Sequence, residues 1–325
     1  MDARCGSAGH TPSLNDCGAD MTMANPTESE ARVVTTFGRR FELATTPGNR
    51  RPARIKGRKL RPVCGDRVLA RPPASTNEPD WLITSIQPRD NELTRPDLRG
   101  RTEVLAANVS LLVIVAAARP KPDWFIVDRY LSAAELIGAK AAVVINKQDL
   151  DDTAIDDTVL SEYRDLGYPV LVTSAETGAG LDALRELLRN ETAIFVGQSG
   201  VGKSSLINSM ISDAELRTGA VSEKSGEGRH TTVNSLLIDL PEGGAVIDSP
   251  GVRDYAPSID AIERVATGFR EIADAAAGCR YANCRHMREP DCAVKAAVEA
   301  GSIAGRRYDS YKRLVHLTES LQQRR

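Results

Sequence analysis

Residues 197–205 read Gly-Gln-Ser-Gly-Val-Gly-Lys-Ser-Ser, and no other stretch limits the possible folds as strongly. An apolar run, Ala193-Ile194-Phe195-Val196, precedes it, and Ser205-Leu206-Ile207-Asn208 follows. Strand, glycine-rich turn and helix in that succession match G-x-x-x-x-G-K-S, a loop whose backbone N–H groups turn inward around phosphate oxygens. Gly197, Gln198, Ser199, Gly200, Val201 and Gly202 would line that loop. Lys203 would bring a point charge, Ser204 a hydroxyl for Mg²⁺, and Ser205 continues the helix whose N-terminus faces the anion.

The surrounding periodicity agrees with an α/β sheet. Apolar runs at Ser110–Ala116, Ala141–Ile145 and Pro169–Val172 read as buried strands. Helical patterns at Phe125–Leu136, Leu160–Leu166 and Leu181–Leu188 follow them in turn, which predicts a parallel sheet with helices on both faces.

Two of these strand ends carry side chains suited to a purine. Asn146-Lys147-Gln148-Asp149 follows one strand, and the Asp149 carboxylate is an acceptor pair spaced for the N1–H and 2-amino group of guanine. Adenine has no donor at N1, so a site built on that acceptor discriminates strongly. Asn146 is expected to bond the purine's other edge and tie down the loop, with the Lys147 stem along the base plane. Ser174-Ala175-Glu176-Thr177-Gly178 ends the next strand, where the Ala175 N–H would reach guanine O6.

Beyond the phosphate loop, Glu227–Thr232 is a polar segment in which Thr231 or Thr232 would complete a Mg²⁺ shell. Asp248-Ser249-Pro250-Gly251 then ends a strand; Asp248 suits a water-mediated Mg²⁺ contact and Gly251 an N–H to a γ-phosphate. Val252, which follows, has no group to orient a water. His230 is the nearest side chain able to do so, and it reads either as the catalytic residue or as a surface histidine.

Residues 31–103 read as β: short alternating pieces at 31–37, 39–43, 66–70 and 81–86 are split by turn residues, which suits a small OB-fold barrel. The formal charge of the whole chain is −2, yet this segment holds 16 Lys/Arg against 8 Asp/Glu. Arg50, Arg51, Arg54, Lys56, Arg58, Lys59 and Arg61 form a run without one acid, open to reading as a solvated loop or as a contact for an RNA backbone. Residues 1–30 are small and polar and read as a disordered tail without a signal peptide. No stretch approaches the ~18 apolar residues of a membrane span, so a cytoplasmic protein without membrane contact is expected.

Cys279, Cys284, His286 and Cys292 cluster near the C-terminus, whereas Cys5, Cys17 and Cys64 are scattered. Three thiolates and an imidazole make a closed tetrahedral set, which predicts one structural zinc. Residues 257–325 otherwise read as helical, with a stripe of Ile259, Ile262, Val265, Ala266, Phe269, Ile272 and Ala273 and a final helix near 303–321. Arg306, Arg307, Lys312 and Arg313 on that helix either grip RNA or solvate it.

These motifs are those of a guanine-nucleotide-binding domain in rotated order: 146–149 and 174–178 precede 197–205, 231–232 and 248–251. With the basic barrel ahead and the Cys/His cluster behind, the chain resembles the ribosome small-subunit-dependent GTPase A family (RsgA/YjeQ), over about residues 31–320. Ser249 stands where that family usually has threonine. The resemblance implies a barrel (31–103), a circularly permuted P-loop GTPase domain (104–256) and a helical zinc domain (257–325). It further implies GTP hydrolysis stimulated by the 30S subunit, late small-subunit maturation and rRNA contacts, in a protein expected to act as a monomer. Because the segment after Gly251 leads into the C-terminal domain, ordering of 225–235 and 251–258 is expected to act at a domain junction. An alternative is a nucleotide-gated RNA-binding factor whose output is GTP binding without turnover; Asp149 and Ala175 speak against an ATPase or kinase.

Overall fold

A computed structural model describes residues 28–46, 49–57, 59–73, 79–96, 102–150, 155–211, 235–249 and 262–323. The expectations for residues 1–27, Arg58, His230, Thr231, Thr232, Gly251 and Val252 lie outside the described residues.

The first strands are β1 (Ser29–Phe37), β2 (Arg40–Thr46), β3 (Asn49–Ile55), β4 (Arg67–Arg71) and β5 (Trp81–Ile86). They run in the order β1-β2-β3-β5-β4, β3 and β5 are parallel, and β1 closes on β4, the topology of an OB barrel. Val33, Phe41, Leu43, Ala53, Val68 and Ile83 fill it. β1 begins two residues inside the expected tail. The first half of the basic run is not a loop: as β3 it pairs with β2 and β5, with Ala53 buried and Arg51 and Arg54 exposed. A hairpin of β6 (Glu92–Pro96) and β7 (Thr102–Ala107) follows, so β7 spans the boundary expected between 103 and 104.

The central sheet comprises β8 (Leu111–Ala117), β9 (Lys140–Asn146), β10 (Val170–Val172), β11 (Thr192–Val196), β12 (Ser235–Asp239) and β13 (Ala245–Asp248). Its order is β10-β9-β8-β11-β13-β12, parallel except for β12. Every residue of β8 is buried, as expected of a parallel strand covered on both faces. The covering helices are α1 (Trp124–Ile137), α2 (Asp157–Asp165), α3 (Leu181–Leu188) and α4 (Lys203–Met210). Asp123 caps α1 by accepting from the Phe125 N–H, and Gly138 ends it in the left-handed region at φ 71°. β1 also pairs with β12, so barrel and central domain share one sheet.

The C-terminal unit has two single 3₁₀ turns (Ile262–Arg264 and Ala266–Gly268), then α5 (Arg270–Ala276), α6 (Ala293–Glu299) and α7 (Gly305–Gln322). The expected apolar stripe is real, since Val265, Phe269 and Ile272 are fully buried, but it is not one helix. A Cβ on Gly268 would lie 2.0 Å from Ser132 Oγ of α1, so backbone packs directly on α1 there and the chain turns.

Two of the three arginines of α7, Arg306 and Arg307, form ion pairs within the chain, whereas Arg313 is exposed, as a solvating residue would be. Arg307, almost wholly buried, donates Nη1 to Asp128 Oδ1 at 2.8 Å and grips Glu271 through Nε and Nη2 at 2.7 and 3.1 Å. Arg306 Nη1 meets Asp128 Oδ2 at 2.8 Å and its other nitrogens reach Glu162. Tyr163 donates its hydroxyl to Asp128 at 2.8 Å, and the Arg313 guanidinium stacks 3.9 Å from the Phe125 ring centre. Arg270 adds bonds to Glu135 and to the Leu166 carbonyl. The C-terminal unit is thereby bolted to α1 and α2.

Candidate nucleotide site and Cys3His centre

The phosphate loop leaves β11, between β8 and β13, at the carboxyl end of the sheet where ligands of open α/β sheets bind. Its first glycine is dictated by contact: Gly197 has φ 134°, and a Cβ there would lie 2.1 Å from the Val115 carbonyl oxygen. The Lys203 ammonium arches back to the carbonyls of Gly197 and Gln198 at 2.8 and 2.6 Å. Ser204 and Ser205 sit in the first turn of α4.

Asn146, buried at the end of β9, holds three segments together. Its Nδ2 donates to the Val201 carbonyl at 3.0 Å, and its Oδ1 accepts from the Ala175 N–H at 3.2 Å and from the Thr173 hydroxyl. The tie to the loop is as expected, whereas the N–H expected to face a base oxygen is directed at Asn146. Lys147, at φ 66°, donates to the carbonyls of Arg119 and Gly200 at 3.2 and 2.6 Å. The Asp149 carboxylate is exposed but oriented: Ser174 Oγ, itself buried, donates to Oδ1 at 2.5 Å and accepts from the Thr177 N–H. The Asp149 carboxylate, the Lys147 stem and the phosphate loop thus meet at one edge of the sheet.

Asp248 ends β13, and the buried Ser249 beyond it accepts a hydrogen bond from Ser235 Oγ at 2.9 Å. Sequence reading overlooked the loop after β8. Gln198 Oε1 accepts from the Asp123 N–H at 3.0 Å and its Nε2 reaches the Lys121 carbonyl, which clamps the phosphate loop to the start of α1. These partners are backbone groups, and no residue pattern announces them.

On the barrel, Arg51, Arg54, Lys56, Lys59 and Arg61 are exposed, while Arg50 reaches the Leu237 carbonyl of β12 at 3.2 Å. Of the aromatic residues near them, Phe41 is buried, Trp81 half-buried and Phe37 exposed.

The ligand atoms of Cys279, Cys284, His286 and Cys292 lie within 4.8 Å of one another. His286 Nδ1 is 3.5 Å from both Cys279 Sγ and Cys292 Sγ, which are 3.9 Å apart. His286 adopts φ 57°, and its carbonyl accepts from Tyr308 Oη at 2.6 Å. Burial works against ionisation of the neighbouring Glu289, but backbone N–H groups of Arg285, Met287 and Arg288 hold its carboxyl down at about 2. That carboxylate is the pin of the knuckle. The donor set could hold a metal ion.

Fold and site together define a circularly permuted P-loop GTPase, with N-K-x-D and S-A encoded ahead of the phosphate loop and a barrel and a Cys3His unit on its flanks. The model of the RsgA GTPase family matches residues 86–257, and the chain belongs to that family. A Shewanella oneidensis protein named small ribosomal subunit biogenesis GTPase RsgA is 36% identical over 312 residues, covering 94% of this chain and 86% of its own. A Chromohalobacter salexigens protein of the same name is 41% identical over 294 residues, covering 89% of this chain and 86% of its own. Among solved structures, YjeQ from Thermotoga maritima is similar with a TM-score of 0.69 at 29% identity, covering 90% of this chain and 99% of that one. YloQ, described as a circularly permuted GTPase, gives 0.68 at 26% identity, covering 92% and 97%.

Proposed function

We propose that this chain hydrolyses GTP to GDP and phosphate during late assembly of the small ribosomal subunit, with the 30S particle as partner and stimulator. The observation that carries the guanine reading is the Ser174–Asp149–Asn146 arrangement, joined to the phosphate loop through the Val201 carbonyl. Asp149 would take the N1–H and 2-amino group of the base, Lys147 would lie along its plane, and Lys203 with the loop N–H groups would bind the phosphates. Ser204 and Asp248 are hard oxygen donors on neighbouring elements, the type of set that Mg²⁺ takes; bound there, the ion would neutralise charge on the phosphate oxygens. Thr231 or Thr232 and Gly251 would respond to the γ-phosphate. With Val252 after Gly251, intrinsic turnover would be slow, and His230 would orient the water once a partner orders its segment.

Zinc is the metal proposed for the C-terminal centre. Tetrahedral Zn²⁺ separates two thiolate sulfurs by about 3.8 Å and sulfur from imidazole nitrogen by about 3.5 Å. The separations among Cys279, Cys292 and His286, 3.9 and 3.5 Å, agree, and Cys284 Sγ lies within 4.8 Å of all three. With all four positions taken by protein, the ion would act in folding. The exposed basic face of the barrel would contact rRNA phosphates, with little base stacking, in a cytoplasmic and monomeric factor. No described helix is long and apolar enough to cross a membrane.

The test is multiple-turnover GTP hydrolysis with and without purified 30S subunits across a salt series. Stimulation that falls steeply with salt is expected. Tight GTP binding without stimulation at any salt would favour a binding factor over a hydrolase.

A further inference from the structure

The two flanking units are attached to very different parts of the central sheet. The C-terminal unit is fastened to α1, α2 and Leu166, on the side of β8, β9 and β10. The barrel is attached at the opposite edge, by strand pairing to β12.

That edge adjoins β13, which ends in Asp248, the proposed Mg²⁺-side carboxylate. In the antiparallel ladder Asp248 of β13 is opposite Leu236 of β12, and Leu236 is opposite Thr35 of β1. One row therefore runs from the proposed Mg²⁺-side carboxylate to the barrel, across two strand spacings of about 4.8 Å each. Ser235, one residue earlier, is opposite Thr36 of β1, and its hydroxyl donates to Ser249 Oγ at 2.9 Å. Both hydroxyls are buried, and each is the described partner of the other. From β1 the contacts continue into the basic strand: Thr35 Oγ1 donates to Glu42, Glu42 faces Arg50 at 3.9 Å, and Arg50 returns to the Leu237 carbonyl at 3.2 Å.

We infer that Ser235 is a positioning residue that registers the Asp248–Ser249 strand end against β1, so that the barrel is the unit that responds to the γ-phosphate. It rests on the reading of Asp248 as the carboxylate on the Mg²⁺ side of the γ-phosphate. Its content is directional: loss of the γ-phosphate is transmitted through β13 and β12 into β1 and the Arg50-bearing face, while α7 keeps its seat on α1. By reciprocity, a ligand gripped by the basic face shifts the relative affinity for GTP over GDP by the same factor.

Amide hydrogen exchange on the full chain, saturated with GDP or with a non-hydrolysable GTP analogue, tests this. Peptides covering residues 32–37 are expected to differ at least threefold in exchange rate between the two nucleotides, and peptides covering 305–318 to differ by less than 1.5-fold. Ser235→Ala should erase the β1 difference and Ser235→Thr should restore it. Arg50→Gln, on the barrel surface, should leave the β1 difference in place and reduce the response of residues 49–55. Equal exchange in β1 with both nucleotides bound would overturn the inference, as would a β1 difference that survives Ser235→Ala or a response in α7 as large as in β1. Absence of any saturable guanine-nucleotide binding would instead sink the functional reading beneath it.

Discussion

Arg307→Ala should unseat the C-terminal unit from the central domain. The guanidinium side chain is 1% exposed and neutralises Asp128, which is wholly buried, and Glu271, whose side chain is 9% exposed. Burial works against its charge, yet Asp128 and Glu271 together hold its pKa above the ordinary arginine value. After truncation Asp128 keeps Arg306 and Tyr163, but Glu271 loses both of its described bonds. Breaking a buried pair by removing one member costs about 3–5 kcal/mol. With a urea dependence on the order of 2–3 kcal/mol/M, the midpoint for this unit should fall by about 1–2 M. The chain has two tryptophans, and Trp124 lies under Arg306, with the guanidinium 5.9 Å from its ring centre. In a Trp81→Phe background, Trp124 fluorescence therefore reports docking. Arg307→Met combined with Glu271→Leu removes both charges and should recover much of the loss, giving a coupling energy above about 2 kcal/mol. A midpoint unchanged within about 0.3 M, or single and double variants equally damaged, would refute the reasoning.

Burial pushes the Cys64 thiol up from 9.0 to about 12, so the folded state holds its proton where the unfolded chain releases it. That favours the fold fully below pH 9 and is lost as pH rises toward 12, at about 1.4 kcal/mol per pH unit. Cys64→Ala should flatten the alkaline arm of a stability–pH curve between pH 9 and 11; an unchanged slope would refute this. Peptide-resolved alkylation of the native protein at pH 8 should leave Cys64 unlabelled. Metal analysis should find about one zinc per chain, and a chelator should expose α7 to proteolysis while β8–β11 stay protected. Retention of α7 after complete metal removal would show the centre to be dispensable. Gly197→Ala should abolish nucleotide binding, because a Cβ there would meet the Val115 carbonyl at 2.1 Å and that carbonyl belongs to a buried strand. Retained binding would mean that β8 and β11 can part locally.

Most of this molecule could be read from residue patterns, for identifiable reasons. β8 to β11 are uniform apolar runs bounded by polar turns, and the phosphate loop, N-K-x-D and S-A segments encode their geometry in residue type. β3 escaped because Arg50, Arg51, Pro52 and Arg54 are all exposed, and Ala53 with the half-buried Ile55 is too faint an apolar signal. The helical stripe from Ile259 to Ala273 does not reveal where the helix breaks, because the break falls where Gly268 meets α1, a contact that depends on tertiary packing. Arg306 and Arg307 look like solvent charges in sequence; their partners, Asp128, Glu162 and Glu271, lie up to 179 residues away. The pairing of β1 with β12 is equally silent, since neither strand advertises an edge that accepts another unit.

The most direct test of the account is equilibrium binding of GDP, ADP and XDP to the wild type and to Asp149→Asn. The account predicts that the wild type prefers GDP over ADP by at least about a hundredfold, since adenine would cover the Asp149 carboxylate without offering it a donor. Asp149→Asn should lose GDP and gain XDP, whose C2 carbonyl needs the donor that asparagine supplies. Equal affinity of the wild type for GDP and ADP, or a variant with unaltered preference, would contradict it.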